Sequence, residues 1–114
     1  MSDSEFVQPT ESDFLLAFGA EHRPVPDEVA CFVVGIDIDS QNELELSYDV
    51  VARSARVKWI RDSAVCVDLF REHVNRIAVE NGSTIRISTR GPGLAGELTI
   101  DVYPVRIADT LLSV

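Results

Sequence analysis

The sequence predicts an α+β protein that is mostly β, built as an antiparallel meander of six to seven strands with one N-terminal helix. Apolar and polar residues alternate along several short segments, a period-two pattern that is typical of half-buried strands. Residues that favour turns, such as asparagine, glycine and proline, separate these segments. A single early segment has helical spacing. A pure β-sandwich is the alternative architecture.

The length of 114 residues is enough for one domain and too short for two ordinary ones. We expect residues 1–9 to form a loose N-terminal arm, because they are polar, acidic and end in proline. Residues 10–114 are expected to form a single globular domain. No signal peptide and no apolar run of membrane-spanning length is visible, so the sequence predicts a cytoplasmic protein without membrane association. Cys31 and Cys66 lie in apolar runs and are expected to be buried free thiols.

The one helix is predicted over residues 10–19. Thr10 can cap its first turn, which also contains Glu11 and Asp13, acidic residues that suit the positive end of the helix dipole. Gly19 can end the helix. Its apolar side is predicted to contain Phe14, Leu15 and Phe18. Two prolines predict an irregular linker over residues 22–27.

The clearest strand pattern lies in residues 30–50, which read as two strands and a tight turn. Apolar residues occupy even positions in both strands. Pairing Ile38 with Leu44 keeps both apolar sets on one face and leaves residues 40–42 as a three-residue loop, with Asn42 as the left-handed residue. This register predicts two like-charge pairs on the outer face, Asp37 opposite Glu45 and Asp39 opposite Glu43.

The rest of the chain is predicted to continue the meander. Residues 54–61 form a third strand, whose register would place Lys58 beside Asp49 and Trp59 in the core. Residues 62–80 are predicted to be two strands, with a short helix as the alternative. The later elements are a hairpin over 77–87 with loop 80–82 and Gly82 as its left-handed residue, a flexible loop over 90–96, a strand over 98–102, and an edge strand or short helix over 105–114.

Charge is acidic overall and unevenly distributed. The formal net charge is −9, and residues 1–49 hold twelve acids and one base, which gives −11 against +2 for the remainder. Proteins that bind nucleic acid are usually basic, and anionic membranes repel acidic surfaces, so the sequence predicts neither partner. Two interpretations stay open: the halves pair with each other inside one fold, or the acidic half binds a basic protein.

The candidate binding residues are Asp37, Asp39, Glu43 and Glu45, which have no evident counter-charge nearby in the sequence. Like charges placed opposite one another are tolerated when they are solvated, when a cation binds them, or when a basic partner does. The sequence D-x-D-x-Q-N resembles the start of an EF-hand loop, but it lacks the glycine and glutamate that such a loop needs. The sequence therefore predicts no metal site and no cofactor.

These observations favour a non-catalytic protein-interaction module that uses an acidic face. A small acidic inhibitor, such as an immunity protein that neutralises a basic toxin, fits this charge and size. The partner could also be a second copy of the chain, contacted through the basic strand at residues 53–61. The alternative is a small enzyme or ligand-binding domain with a site around His73, Glu72 and Arg86.

Overall fold

The computed structural model describes residues 6–113 and confirms a mostly β fold with one N-terminal helix. Within those residues the chain forms nine strands, more than the six to seven expected, because the region predicted as a linker contains a short strand and the C-terminal segment, left open between strand and helix, is also a strand. The elements are α1 (Glu11–Phe18), β1 (His22–Pro24), β2 (Cys31–Asp37), β3 (Asn42–Asp49), β4 (Ser54–Arg61), β5 (Ala64–Arg71), β6 (Val74–Glu80), β7 (Thr84–Gly91), β8 (Leu94–Asp101) and β9 (Arg106–Ser113).

The strands form two antiparallel sheets. Sheet one has the order β1-β2-β3-β4-β5, and sheet two has the order β6-β7-β8-β9. Each strand pairs with its neighbour in the sequence, so both sheets are meanders, and the chain passes from one to the other through Glu72 and His73. Strands β5 and β9 are edge strands, and an ion pair between Arg71 and Asp109 joins them across the two sheets.

A single hydrophobic core is shared by both sheets and the helix. Alternation along the strands sends every second side chain inward, and each fully buried aliphatic side chain contributes roughly 1.5–3 kcal/mol to folding. Sheet one supplies Val34, Ile36, Leu44, Leu46, Tyr48, Ala55 and Val57. Sheet two supplies Val74, Ile77, Ile85, Ile87, Leu98 and Ile100, and α1 supplies Phe14 and Phe18. Trp59, predicted as core, is partly buried against this cluster.

Helix α1 has the predicted caps. The Asp13 backbone N–H donates to Thr10 Oγ1 at 3.2 Å, and the Thr10 N–H donates to Asp13 Oδ2 at 2.8 Å. Gly19 ends the helix in the left-handed conformation, with φ of 64°. Leu15 was predicted on the buried side but is 45% exposed. Among the described residues no helix is long and apolar enough to cross a membrane.

The predicted register of the first hairpin is wrong by two residues. Ile36, not Ile38, pairs with Leu44. The turn forms earlier because the Asp39 carboxylate accepts backbone N–H groups of Gln41 and Asn42, each at 2.8 Å, in an Asx-type turn. Asn42 is therefore a strand residue and not the left-handed residue of a loop.

The register between β3 and β4 also differs from the expectation. Asp49 pairs with Ser54, and Lys58 lies opposite Glu45. The cause is again an aspartate in a turn, because Asp49 Oδ1 accepts the N–H groups of Val51 and Ala52 at 2.9 and 2.8 Å. The chain therefore leaves the strand at Asp49, before the position that the apolar pattern suggested.

Residues 62–80 form two strands, β5 and β6, as predicted. The second predicted hairpin has its register shifted by two residues, so that Val79 pairs with Ile85 around a turn at 81–83, while Gly82 is left-handed as predicted. The predicted flexible loop at 90–96 is mostly strand, because β7 ends only at Gly91 and β8 begins at Leu94, which pairs with Gly91. The terminal segment is an edge strand, β9.

Two N-terminal segments pair with the sheets. Strand β1 contains Pro24, which is compatible with its place at the edge of sheet one, where a proline removes no ladder hydrogen bond. Val7 forms a parallel bridge beside β6, with its N–H donating to Asn75 O and its carbonyl accepting from Ile77 N. Residues 1–5 of the predicted arm lie outside the described residues.

Candidate interaction surface

Two tight turns meet at one end of sheet one and bring several carboxylates together. The β2–β3 turn lies beside the β4–β5 turn, and the Asp62 backbone N–H donates to the Gln41 carbonyl at 2.8 Å. Asp37 and Glu43 are directly opposite each other in β2 and β3. We call this region the acidic end of sheet one, and it comprises Asp37, Asp39, Glu43 and Asp62.

Three of the four predicted binding residues lie in the acidic end, and all three are exposed. The pairing that places them differs from the prediction: Asp37 faces Glu43, whereas Asp39 lies in the turn and faces no strand residue. Asp62, which the sequence did not indicate, completes the group through the two-residue turn at 62–63, where both residues are left-handed.

Asp39 has a structural task in addition to its charge. Besides the two backbone donors, its carboxylate accepts the Asn42 side-chain amide at 3.0 and 3.1 Å. These hydrogen bonds stabilise the charged form and lower the pKa of Asp39, with the backbone donor of Gln41 first. A substitution of Asp39 would therefore change the turn as well as the surface charge.

Glu45, the fourth predicted residue, lies apart from the acidic end. It is half-buried in β3, opposite Gly35 on one side and Lys58 on the other. The expectation that Glu45 lacks a counter-charge nearby is therefore wrong, because the shifted register gives it the lysine that had been assigned to Asp49. We accordingly place the candidate surface on the exposed carboxylates at the end of the sheet.

The carboxylates of the acidic end are exposed, and the charge of Arg61 lies close enough to Asp39 to contribute to its lowered pKa. Within residues 6–113 none of them takes part in an ion pair, whereas Asp68 further along the sheet binds Arg56 through two hydrogen bonds of 2.8 and 2.9 Å. No group of three metal-ligating side chains in the described part of the chain could hold a metal ion. The chemistry available here is acceptance of charged hydrogen bonds from lysine or arginine.

The alternative site around His73 is not assembled. His73 is exposed in the connection between the sheets, where its carbonyl accepts the Arg90 N–H at 2.9 Å and its ring lies beside Gly91. Arg86 lies in the same strand as Arg90 but four residues away, about 13 Å at strand spacing. Its guanidinium binds Glu80 and Glu97 at 2.9 and 2.8 Å.

An aromatic cluster around His22 was missed by the sequence analysis. The His22 ring stacks between Phe14 and Phe32, with ring centroids 5.6 and 4.5 Å away. Its Nε2 lies 2.5 Å from the Tyr48 hydroxyl, which donates to Gln8 Oε1 at 2.9 Å. Burial lowers the pKa of His22, against the opposing charge of Glu11. The even-numbered aromatic positions in β2 and β3 were a signal, but the proline-rich segment around His22 concealed its partner.

The two cysteines differ in environment. Cys31 is partly buried, and its thiol donates to Asp49 Oδ2 at 3.3 Å. Burial, followed by this carboxylate, raises the pKa of the Cys31 thiol. Cys66 is exposed, so the prediction that it is buried is wrong. It lies at an irregular point of β5, where its thiol donates to the Trp59 carbonyl at 3.3 Å.

Comparisons with known proteins identify one shared fold. No protein-family model matches the chain, and no curated protein matches it. Among solved structures, this chain is similar to a chain of a contact-dependent growth inhibition toxin–immunity protein complex from Klebsiella pneumoniae 342. The TM-score is 0.77 and the sequence identity is 17%. The similarity covers 94% of this chain and 97% of that chain. At this level of identity, the likeness shows that the two chains have the same fold.

Proposed function

We propose that this chain is a non-catalytic protein-binding module of the immunity type, whose acidic end binds a basic protein. The observation that carries the proposal is the group of exposed carboxylates, none of which forms an ion pair within residues 6–113. Asp37 and Glu43 repel each other across β2 and β3, and a lysine or arginine from a partner would relieve that repulsion.

Charge and fold both support the immunity type. A net charge of −9 attracts a basic partner over a distance of about one Debye length and speeds association. The similar solved chain comes from a complex of a toxin with an immunity protein, so a fold of this kind occurs in a toxin–immunity pair. A cytoplasmic location remains a prediction.

Self-association through the basic strand is less well supported. That strand is β4, and both of its edges are occupied, by β3 and by β5. A second copy therefore has no free edge of β4 to pair with. Contact between copies would have to use the outer face of the sheet, where Arg56 already binds Asp68.

The proposal is tested with the purified protein encoded by the neighbouring gene, since a toxin and the protein that neutralises it must be made together. Binding is measured by calorimetry at about 50 and about 150 mM salt, and we expect weaker binding at the higher salt. Charge reversal by Asp37→Lys or Glu43→Lys is expected to weaken binding on the order of tenfold, because each variant brings a like charge against the basic partner.

The matched control is Glu72→Lys, which changes the net charge equally at an exposed position outside the acidic end. It is expected to bind nearly as tightly as the wild type, and so is His73→Ala. Equal losses in Asp37→Lys and Glu72→Lys would mean that only the overall charge matters. Absence of binding by the wild-type chain would overturn the proposed function, and size-exclusion chromatography of the same samples would reveal a homodimer.

A further inference from the structure

A β-bulge turns one valine of β5 onto the outer face of sheet one. Before the bulge Trp59 pairs with Val67, and after it Ile60 pairs with Val65, so β5 contains one extra residue, Cys66. By strict alternation Val65 would point inward with Val67. The bulge instead places Val65 opposite Ile60, which shares the outer face with Lys58, and Val65 is 55% exposed.

Val65 extends a row of side chains that begins in the acidic end. Successive strands place Asp37 opposite Glu43, Glu43 opposite Ile60, and Ile60 opposite Val65 on the outer face. The row therefore has two carboxylates followed by two aliphatic side chains, and it spans roughly 14 Å at the usual spacing between strands. Phe70, which is 51% exposed and opposite Arg56, adds a second apolar side chain on the same face of β5.

We infer that the outer face of β4 and β5 beside the acidic end is the apolar anchor site for the same basic protein, with Val65 and Ile60 at its centre and Phe70 at its margin. This inference rests on the proposed function. It adds an apolar area to the acidic end, and that area loses its water when the partner binds. The partner places an aliphatic or aromatic side chain on Val65, and lysine or arginine side chains beside it reach Asp37 and Glu43.

Charge complementarity selects this occupant. The two cations on the outer face of β4 have acidic neighbours, because Arg56 binds Asp68 and Lys58 lies opposite Glu45, whereas Asp37 and Glu43 form no ion pair within residues 6–113. A stable interface needs an apolar centre that excludes water and a charged rim that directs the approach, and a few apolar side chains at the centre hold most of the binding energy. The row supplies both parts side by side. The exposed valine is also produced by a bulge, a feature that is frequent where a strand re-aims a side chain toward a binding site.

The experiment uses the purified neighbouring-gene protein and compares truncation of Val65 with truncation of an unrelated exposed residue. Val65→Ala is expected to weaken binding on the order of tenfold or more through faster dissociation, equally at low and moderate salt, and Phe70→Ala, at the margin, is expected to weaken it by a smaller factor. The control is Leu16→Ala, which removes an 88% exposed apolar side chain from α1 and is expected to leave affinity unchanged. Thermal unfolding of each variant verifies that its fold is intact.

Contact is located by photo-crosslinking with a benzophenone amino acid at position 65 or 16. A crosslink to the basic protein from position 65 and none from position 16 would support the inference. If Asp37→Lys weakens binding while Val65→Ala and Phe70→Ala do not, the inference is overturned and the proposed function stands. If the crosslink from position 65 joins two copies of this chain, a homodimer occupies the face and the inference is again overturned.

Discussion

The outer faces of the two sheets distribute their charge differently. Residues 74–113, which contain sheet two, hold four acids and four bases, and Arg86 lies between two of the acids, Glu80 and Glu97, at 2.9 and 2.8 Å. Residues 31–71, which contain β2 to β5, hold seven acids and five bases, and Asp37 faces Glu43 with no described cation between them.

This difference separates charge that serves folding from charge that is available for binding. In sheet two Glu80 and Glu97 are both paired with Arg86, which lies on the strand between them. In sheet one the acidic end leaves an anionic field at an exposed turn, and a repulsion that folding alone would not select. We therefore expect core substitutions in the two sheets to change the stability of the fold equally. Removal of a surface charge is expected to change stability in opposite directions in the two sheets.

The largest expected effect concerns the shared core. Ile36→Ala in sheet one and Ile87→Ala in sheet two each remove a fully buried side chain. We expect each to lower the free energy of unfolding by about 2–5 kcal/mol, because the lost burial and the remaining cavity both destabilise. Urea unfolding is followed by far-ultraviolet circular dichroism and by the fluorescence of Trp59, the single tryptophan, which lies in sheet one.

Because one core joins the sheets, both signals are expected to shift together in both variants. A variant in sheet two that moved the circular dichroism transition but not the Trp59 transition would show that the sheets unfold separately. The two sheets would then be independent folding units.

The second prediction concerns the pH dependence of stability. His22, in β1 of sheet one, is a partly buried group that titrates near neutral pH. Burial between Phe14 and Phe32 lowers the pKa of His22 below its ordinary 6.5. The unfolded chain therefore takes up the proton at a higher pH than the folded chain, and stability falls as the pH drops below about 6.5 toward the folded-state pKa. Urea midpoints measured at about pH 7.5 and about pH 5.5 reveal this loss.

The variant His22→Phe keeps an aromatic ring in the stack and is expected to lose most of the change between these two pH values. His73→Ala, at an exposed histidine, is expected to keep it. Hydrogen bonds lower the pKa of Asp39 and Asp49 from 3.8, so their contribution is lost only in more acidic solution. An unchanged pH dependence in His22→Phe would contradict the assignment to His22.

Much of the fold was predictable because it depends on local chemistry. The capping residues of α1 and the alternation along β2, β3 and β8 act within a few residues, so the sequence predicts them directly. Registers were less predictable, because shifting a hairpin by two residues leaves the same side chains inward. The carboxylates of Asp39 and Asp49 decided between the registers by bonding to backbone N–H groups of the turns.

The sequence predicted that the candidate site is acidic, but it did not predict which residues the fold brings together there. Asp37 and Glu43 were identified as exposed carboxylates, but Asp62 joins them only because two turns meet at one end of the sheet. Strict alternation along β5 would turn Val65 inward with Val67, and alternation alone does not predict the extra residue of a bulge. Both missing parts depend on contacts between strands that the linear pattern does not specify.

The smallest expected effect is also the one that tests the comparison most directly. Neutralising Asp37→Asn is expected to raise the urea midpoint slightly, because it removes a like-charge pair with Glu43. Neutralising Arg86→Met is expected to lower it slightly, because two carboxylates lose their partner. Both shifts should shrink in salt, since they are electrostatic. If Asp37→Asn gains stability and also weakens binding to the basic protein, the repulsion at the acidic end is retained for binding at the expense of stability.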